Sequence, residues 1–333
     1  MNIYDIAELS GVSIATVSRV VNGSEKVSEK TRKKVLEIIE QNGYTPNVFA
    51  QGLGLHTMHT IGILVPDIAD PYMSSAVSYL ENQLQSYGYD CILSCSGFEQ
   101  QSKESHVQML LSKHIDALVL VGSTYSGHGK SDQETQYLRD AAQQVPVFVV
   151  NGVVSGTGIF SSVSCDRQAV CEAVSALLRK GRRRILFLTD SKSYSAVEKR
   201  AGYEQAYREA NLPMPRSLMH YVPDNIHETR HYLLQQSLTF DAVVATDDVM
   251  AVGALKYAAA KGLRIPEDLA VIGYNNSTLA ICSEPELTSI DNRARELCHS
   301  TVDHLISVLG GSNDVPQQIS VPCQLIQRAT TDF

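Results

Sequence analysis

At 333 residues, with 44% hydrophobic and 19% charged residues and no low-complexity tract, the chain has the composition of a globular protein of two or three domains. A net charge of −8 excludes wholesale coating of nucleic acid, and apolar runs such as Ile61–Val65 and Ala117–Val121 are strand-length, too short to span a bilayer. The seven scattered cysteines lack CxxC spacing and the opening MNIYDIAELSG lacks a basic-then-apolar leader, so the expectation is a cytoplasmic protein with reduced, mostly core thiols, no zinc and no membrane contact.

The first sixty residues are neutral, six bases against six acids, so the remainder carries the whole negative charge. Ile3, Ile6, Ala7 and Leu9 mark one face of a short helix, and Ser10-Gly11-Val12 a turn in which Gly11 takes positive φ. Ser13 is placed to cap a second helix, IATVSRVVN, which Asn22-Gly23 ends. A third begins at Ser28, with Glu29 favourably placed against the helix dipole, and runs through Val35, Leu36, Ile38 and Ile39 to Asn42-Gly43. Two short helices joined by a glycine turn, with a third across them, form the helix-turn-helix pattern.

In that motif the second helix reads base edges in the major groove. With Val17, Val20 and Val21 facing inward, Ile14, Ala15, Ser18 and Arg19 face out. Arg19 suits a bidentate contact to guanine, and Ile14 and Ala15 suit a thymine methyl. Ser10, Ser13, Thr16, Ser28 and Thr31 are small hydroxyl donors for phosphates. The next stretch, NVFAQGLGLHT at 47–57, has helix-like spacing of Val48, Phe49 and Leu53, weakened by Gly52 at about 1 kcal/mol relative to alanine.

From Thr60 strand and helix alternate. TIGILVP, a helix to Tyr87, YDCILS, a helix at 99–113, DALVLVG, a helix near 134–144 and VPVFVVN come first. After a short crossing near Ser161–Asp166 the pattern restarts with a helix at 166–180, RRILFLT, a helix at 196–210, a strand near 217–222 and a helix at 226–238. DAVVAT, a helix at 248–261 and LAVIGY complete it. Such alternation gives parallel sheets with helices on both faces, and its repetition gives two similar lobes. Ligands bind beyond the carboxyl ends of such strands, so two facing lobes make a cleft.

Other patterns point to ordinary structure. LVLVGSTYSGHGKSD lacks the first glycine of a phosphate-binding loop, since position 124 is Thr124. The run Lys180–Arg184 sits at a helix end, where cations complement the dipole. His227 and His231 read as one solvent face of a helix. No nucleophile, metal-ligand or dinucleotide motif stands in a supporting context, so no enzyme, catalytic residue, metal or cofactor is expected. A transport solute-binding protein would share the core but needs a leader and no headpiece.

YDIAELSGVSIATVSRVVNG, then VSEKTRKKV, then GYTPN with Ala50 and Leu53, resembles the headpiece of LacI/GalR-family transcription factors nearly residue by residue across 3–53. IGILVPDIADPY, DALVLVG, ATDDVMAVGAL, RIPEDLAVIGYNN and PELTSID resemble the periplasmic-binding-protein-like core of the same family. The resemblance implies an all-α helix-turn-helix headpiece (1–46), a hinge (47–59), and an α/β core of two doubly wound parallel-sheet lobes, 60–162 with 291–320 and 163–290 with 321–333. It adds Asn22, Asn47, Ala50 and Leu53 to the DNA-contacting set, Leu53 as a wedge between bases in the minor groove. It implies a cytoplasmic homodimer on a pseudo-palindromic double-stranded operator, most often as a repressor, with the 292–309 helix contributing to dimerisation. A small-molecule effector, a sugar or related metabolite, would bind between the lobes and alter DNA affinity allosterically.

The implied effector residues are Asp70, Tyr72, Met73, Ser123, Asn151, Lys199, Asp247, Asn275 and Asn292. Sugar-binding members of the family commonly have Asp-Arg at Asn151-Gly152, Arg at Lys199, Asn at Asp247, Asp at Asn275 and Gln at Asn292. The pocket stays polar while its anchors are rewritten: lysine lacks arginine's planar fork.

Overall fold

The computed structural model describes residues 1–21, 24, 26–44, 57–127, 132–312 and 314–333. The chain divides into a small helical unit, Met1–Thr60 with His114–Asp116, and a large α/β unit comprising the rest.

The small unit contains α1 (Ile3–Ser10), α2 (Ile14–Val21) and α3 (Glu29–Gln41) around Ile6, Ala7, Val17, Val20 and Val35. Asn2 starts α1 through a reciprocal capping box with Asp5. Gly11 ends it at φ 63°, its N–H donating to the carbonyls of Ala7 and Glu8. The Ser13 hydroxyl accepts from Thr16 N at 3.2 Å, and the Ser28 hydroxyl accepts from Thr31 N at 3.3 Å, fixing where α2 and α3 begin. Three expectations need correction. Leu9 is 53% exposed and Leu36 is also on the surface, because the core of so small a unit is filled by its β-branched residues. Ser10 is fully buried and its hydroxyl donates back to Ile6 O, so it is not available to a phosphate. Where the chain leaves the undescribed 45–56 stretch, the Asp116 carboxylate accepts from Met58 N at 3.0 Å and from Thr60 N at 2.9 Å.

The large unit has two lobes. Lobe 1 opens with β1 (Thr60–Val65), α4 (Pro71–Ser86), β2 (Asp90–Cys95) and α5 (Gln100–Leu111). It continues with β3 (Ala117–Val121), α6 (Gln136–Ala141), β4 (Val147–Val150) and β5 (Ile159–Ser164). Lobe 2 follows as α7 (Asp166–Arg179), β6 (Ile185–Thr189), α8 (Tyr194–Glu209), β7 (Met219–Tyr221) and α9 (Ile226–Gln235). It closes with β8 (Ala242–Ala245), α10 (Asp248–Lys261), β9 (Ala270–Tyr274), α11 (Thr278–Cys282) and β10 (Thr288–Asp291). The chain then supplies α12 (Ala294–Leu309) and β11 (Gln318–Val321) to lobe 1 and β12 (Gln324–Ile326) to lobe 2.

Lobe 1 has strand order β11-β5-β4-β3-β1-β2 and lobe 2 has β12-β10-β9-β8-β6-β7. In lobe 1 the pairs β1–β3, β3–β4, β4–β5 and β5–β11 are parallel, while β12 runs antiparallel to β10 at the edge of lobe 2. Central strands such as β3 (ALVLV) are buried on both faces, each large apolar side chain contributing about 1.5–3 kcal/mol. These are the two doubly wound lobes expected from the alternating pattern. The stretch read as a crossing at Ser161–Asp166 is mostly strand, β5, whose serines at 161, 162 and 164 conceal it from an apolar search. The lobe-crossing segments are tied together: Ser164 Oγ donates to Asn292 O at 2.9 Å, and Cys165 N donates to Val321 O at 2.9 Å.

The basic run is structural. Arg182 donates to the carbonyls of Asp241 and Glu267, and the Arg183 and Arg184 amides donate to the Asp241 carboxylate. His227 and His231 lie exposed on α9. All seven cysteines are free, yet only Cys171 and Cys298 are fully buried, fewer than expected. No helix among the described residues is long and apolar enough to cross a membrane.

Candidate functional site

On the small unit, α2 turns Val17 and Val20 inward, which leaves Ile14 41% exposed beside exposed Ala15 and Arg19. Ile14 is β-branched and exposed, and Arg19 has no side-chain partner among the described residues, so this face offers an apolar surface beside a guanidinium. Ser18 is half-buried on the same helix. The hydroxyls of Ser13 and Thr16 are 2.9 Å apart, as are those of Ser28 and Thr31, each pair at the exposed start of a helix where backbone N–H groups favour anions. Asn22, Asn47, Ala50 and Leu53 lie outside the described residues.

In the large unit, loops at the carboxyl ends of the strands enclose a cleft of about 640 Å³. Eight of the nine residues expected there line it: Asp70, Tyr72, Met73, Ser123, Asn151, Lys199, Asp247 and Asn275. Asp70 caps α4 through Met73 N at 2.9 Å. Tyr72 and Met73 follow in its first turn as wall packing, and the Tyr72 hydroxyl is buried without a partner among the described residues. Ser123 follows β3, and Asn151 stands at φ 64° after β4. The next residue, Gly152, packs so closely that a Cβ there would lie 2.1 Å from Ser126 Oγ.

The lobe 2 wall is a hydrogen-bonded network. Asp247 caps α10 through Val249 N at 2.8 Å and accepts from Asn275 Nδ2 at 2.6 Å. Asn292, the ninth residue, does not line the cleft; it is buried behind it and donates to Asn275 Oδ1 at 2.8 Å. It acts through Asn275 by holding that amide's orientation. The neighbouring Asp248 faces away and bolts the site to the sheet, accepting from Ser277 N and from the hydroxyls of Ser277 and Ser289 at 2.7–2.8 Å.

Lys199, on α8, places Nζ 3.6 Å from the centre of the Tyr274 ring and donates to Thr246 O at 3.0 Å. Behind it, buried Asp166 accepts from the hydroxyls of Ser195 and Tyr274. Burial raises the Asp166 carboxyl, and the Lys199 charge partly offsets that.

Sequence reasoning missed the acidity of the cleft. Asp67, Asp190 and Asp224 join Asp70 and Asp247 in its lining, and Phe98 stands at its edge. Burial raises Asp70, with Asp190 and Asp67 adding to it against the Met73 and Tyr72 amides. Asp224 opens to solvent on one side, yet desolvation by the cleft walls and the Asp190 and Asp70 charges raise it to about 7. Asp247 rises well above the usual carboxylate range through burial and then Asp224. A count of strand-end acids, D at 67, 190 and 224, would have revealed the pattern.

Residues 2–47 match the family model for bacterial regulatory proteins of the lacI family, and residues 174–331 match that for a periplasmic binding protein-like domain. The chain is 47% identical over 336 aligned residues to an HTH-type transcriptional regulator of Lachnoclostridium phytofermentans, covering 100% of both chains. It belongs to the LacI family. This LacI-family chain is a DNA-binding transcriptional regulator with a helix-turn-helix headpiece and a periplasmic-binding-protein-like core. Among solved structures, the Lac repressor dimer bound to operator and the anti-inducer ONPF is 25% identical with a TM-score of 0.88, over 99% of this chain and 98% of that one. A complex of the regulator CelR with cellobiose is 26% identical with a TM-score of 0.73, over 99% and 100%.

Proposed function

We propose that this regulator is a homodimeric, cytoplasmic repressor whose two headpieces read a pseudo-palindromic operator, and whose affinity for DNA is set by a small polyhydroxylated metabolite held between the lobes. One observation carries the reading: a single chain joins an exposed Ile14–Ala15–Arg19 face to a two-lobed cleft of about 640 Å³ lined by polar strand ends. A transport protein has no use for the first feature, and a constitutive DNA-binding protein has none for the second. The similarity to an operator-bound repressor dimer and to a cellobiose-bound regulator supports both halves.

In this account Ile14, Ala15, Ser18 and Arg19 read bases, while Ser13, Thr16, Ser28 and Thr31 fix the register on phosphates. Asn22, Asn47, Ala50 and Leu53 complete the contact through the hinge, with Leu53 as the minor-groove wedge. The nine effector residues divide into eight that face the ligand and Asn292, which orients Asn275. Ligand binding selects one relative position of the lobes, and that position sets whether two hinges can pair on DNA.

The test is binding of the full-length protein to the DNA upstream of its own gene, followed by footprinting at rising salt. A symmetric protection that weakens steeply with salt is expected; protection that is absent or indifferent to salt rejects the reading.

A further inference from the structure

Two kinds of observation in the cleft concern its ligand. The first is charge. Among the described residues, five carboxylates line it, Asp67 and Asp70 from lobe 1 and Asp190, Asp224 and Asp247 from lobe 2, against one cation, Lys199. That cation is already committed: its ammonium lies over Tyr274, is bonded to Thr246 O and compensates buried Asp166. None of the five carboxylates forms an ion pair among the described residues.

The second is an orphaned donor and a bare ring. Thr246 lines the cleft at 6% exposure, and its hydroxyl has no partner among the described residues, a rare state for a buried polar atom. Phe98, at the lobe 1 edge, is 60% exposed. A hydroxyl awaiting a hydroxyl and an aromatic face awaiting a C–H or cationic face indicate a ligand that is both hydroxylated and positively charged.

We infer that the effector carries a protonated amine on a polyhydroxylated framework, the chemistry of an amino sugar, with the amine between the facing carboxylates of the two lobes and a hydroxyl on Thr246. This rests on the reading of the cleft as the effector site. A neutral sugar would leave the raised carboxyls holding their protons and would gain no charge attraction from either lobe. An ammonium forms charge-assisted hydrogen bonds to both walls at once and so favours the approach of the lobes. Asp224 supplies the pH signature: it is raised to about 7 and faces Asp190, Asp70, Asp247 and Lys199, so a bound cation displaces the proton it holds.

The experiment is calorimetry of the full-length protein with gluco-, galacto- and mannosamine and their disaccharides, each beside its N-acetylated and neutral counterpart, with the diamine putrescine as a hydroxyl-free cation. At least one free amine is expected to bind about 10- to 100-fold more tightly than both of its uncharged counterparts. Its affinity is expected to rise from about pH 6 to about pH 7.5 with release of a proton. Asp224→Asn, a change at a solvent-facing position, should remove that pH dependence, and Thr246→Val should weaken the amino sugar while leaving putrescine unchanged. Overturning results are an N-acetyl or neutral sugar that binds as well as its amine, or no binding by any amine. If such a neutral sugar also shifts operator affinity, the charged ligand class fails while the regulator reading stands. Loss of the regulator reading shows separately, as the absence of symmetric protection on DNA.

Discussion

Asn275 donates its Nδ2 to the Oδ2 of Asp247 at 2.6 Å across the loops that follow β9 and β8. The family resemblance implies Asp at the first position and Asn at the second in sugar-binding members, so two apparent departures fall on one hydrogen-bonded pair. The carboxylate stands at the N-terminus of α10, where it caps the helix, and the amide is anchored by Asn292.

Asp247→Ala removes a ligand-facing carboxylate, a helix cap and the partner of Asn275 together. Effector affinity should fall by at least about 10-fold, and stability by about 1 kcal/mol from the lost cap. Calorimetry and thermal melting check the two effects; unchanged ligand binding would remove Asp247 from the site.

The cleft acids predict an unusual dependence of stability on pH. Asp224 is raised in the folded protein to about 7 from the ordinary 3.8, so the folded state holds the extra proton and its contribution is lost as pH rises through 7. Buried His304, lowered from 6.5, acts oppositely, costing stability as pH falls below its ordinary range. Comparing melting temperatures of the wild type and Asp224→Asn isolates the first effect. The variant should be the more stable of the two above about pH 7, with the difference shrinking toward about pH 5; parallel curves would contradict it.

Gly152 makes the missing arginine a packing constraint. A Cβ there would lie 2.1 Å from Ser126 Oγ and 3.2 Å from Val149 Cγ1. Gly152→Ala should cost about 1–3 kcal/mol by overpacking. Ser126→Ala, which removes the closest atom, should restore most of that loss, and denaturant melts of the double-mutant cycle measure the coupling.

Arg19→Ala should relax specificity at one operator position by about 1–3 kcal/mol. Competition binding against operators substituted at each position checks this; equal losses on operator and random DNA would assign Arg19 to phosphates.

The sequence made the strands and helices legible because the central strands are fully apolar runs and the caps are spelled out, as at Ser13, Gly11 and Ser28. β5 was hidden because Ser161, Ser162 and Ser164 bury polar side chains in a sheet. Leu9 misled because a helix face drawn from periodicity cannot tell which apolar residues a three-helix core has room for. In the cleft, the family resemblance supplied eight lining residues, most of them near strand ends that the topology brings together. The charge of the site was legible only in part: Asp67, Asp190 and Asp224 each follow a strand, but that they face one another across a cleft appears only when the fold sets them on its walls. The Asp247–Asn275 pair likewise appears only when residues 28 apart in sequence meet.

The central claim, that an exposed α2 face reads a symmetric operator, is tested most directly by selecting bound sequences from random DNA with the full-length protein and with Arg19→Ala. The account predicts a pseudo-palindrome for the wild type, with one symmetric pair of positions losing its preference in the variant. Enrichment of no common sequence, or of one without two-fold symmetry, would contradict it.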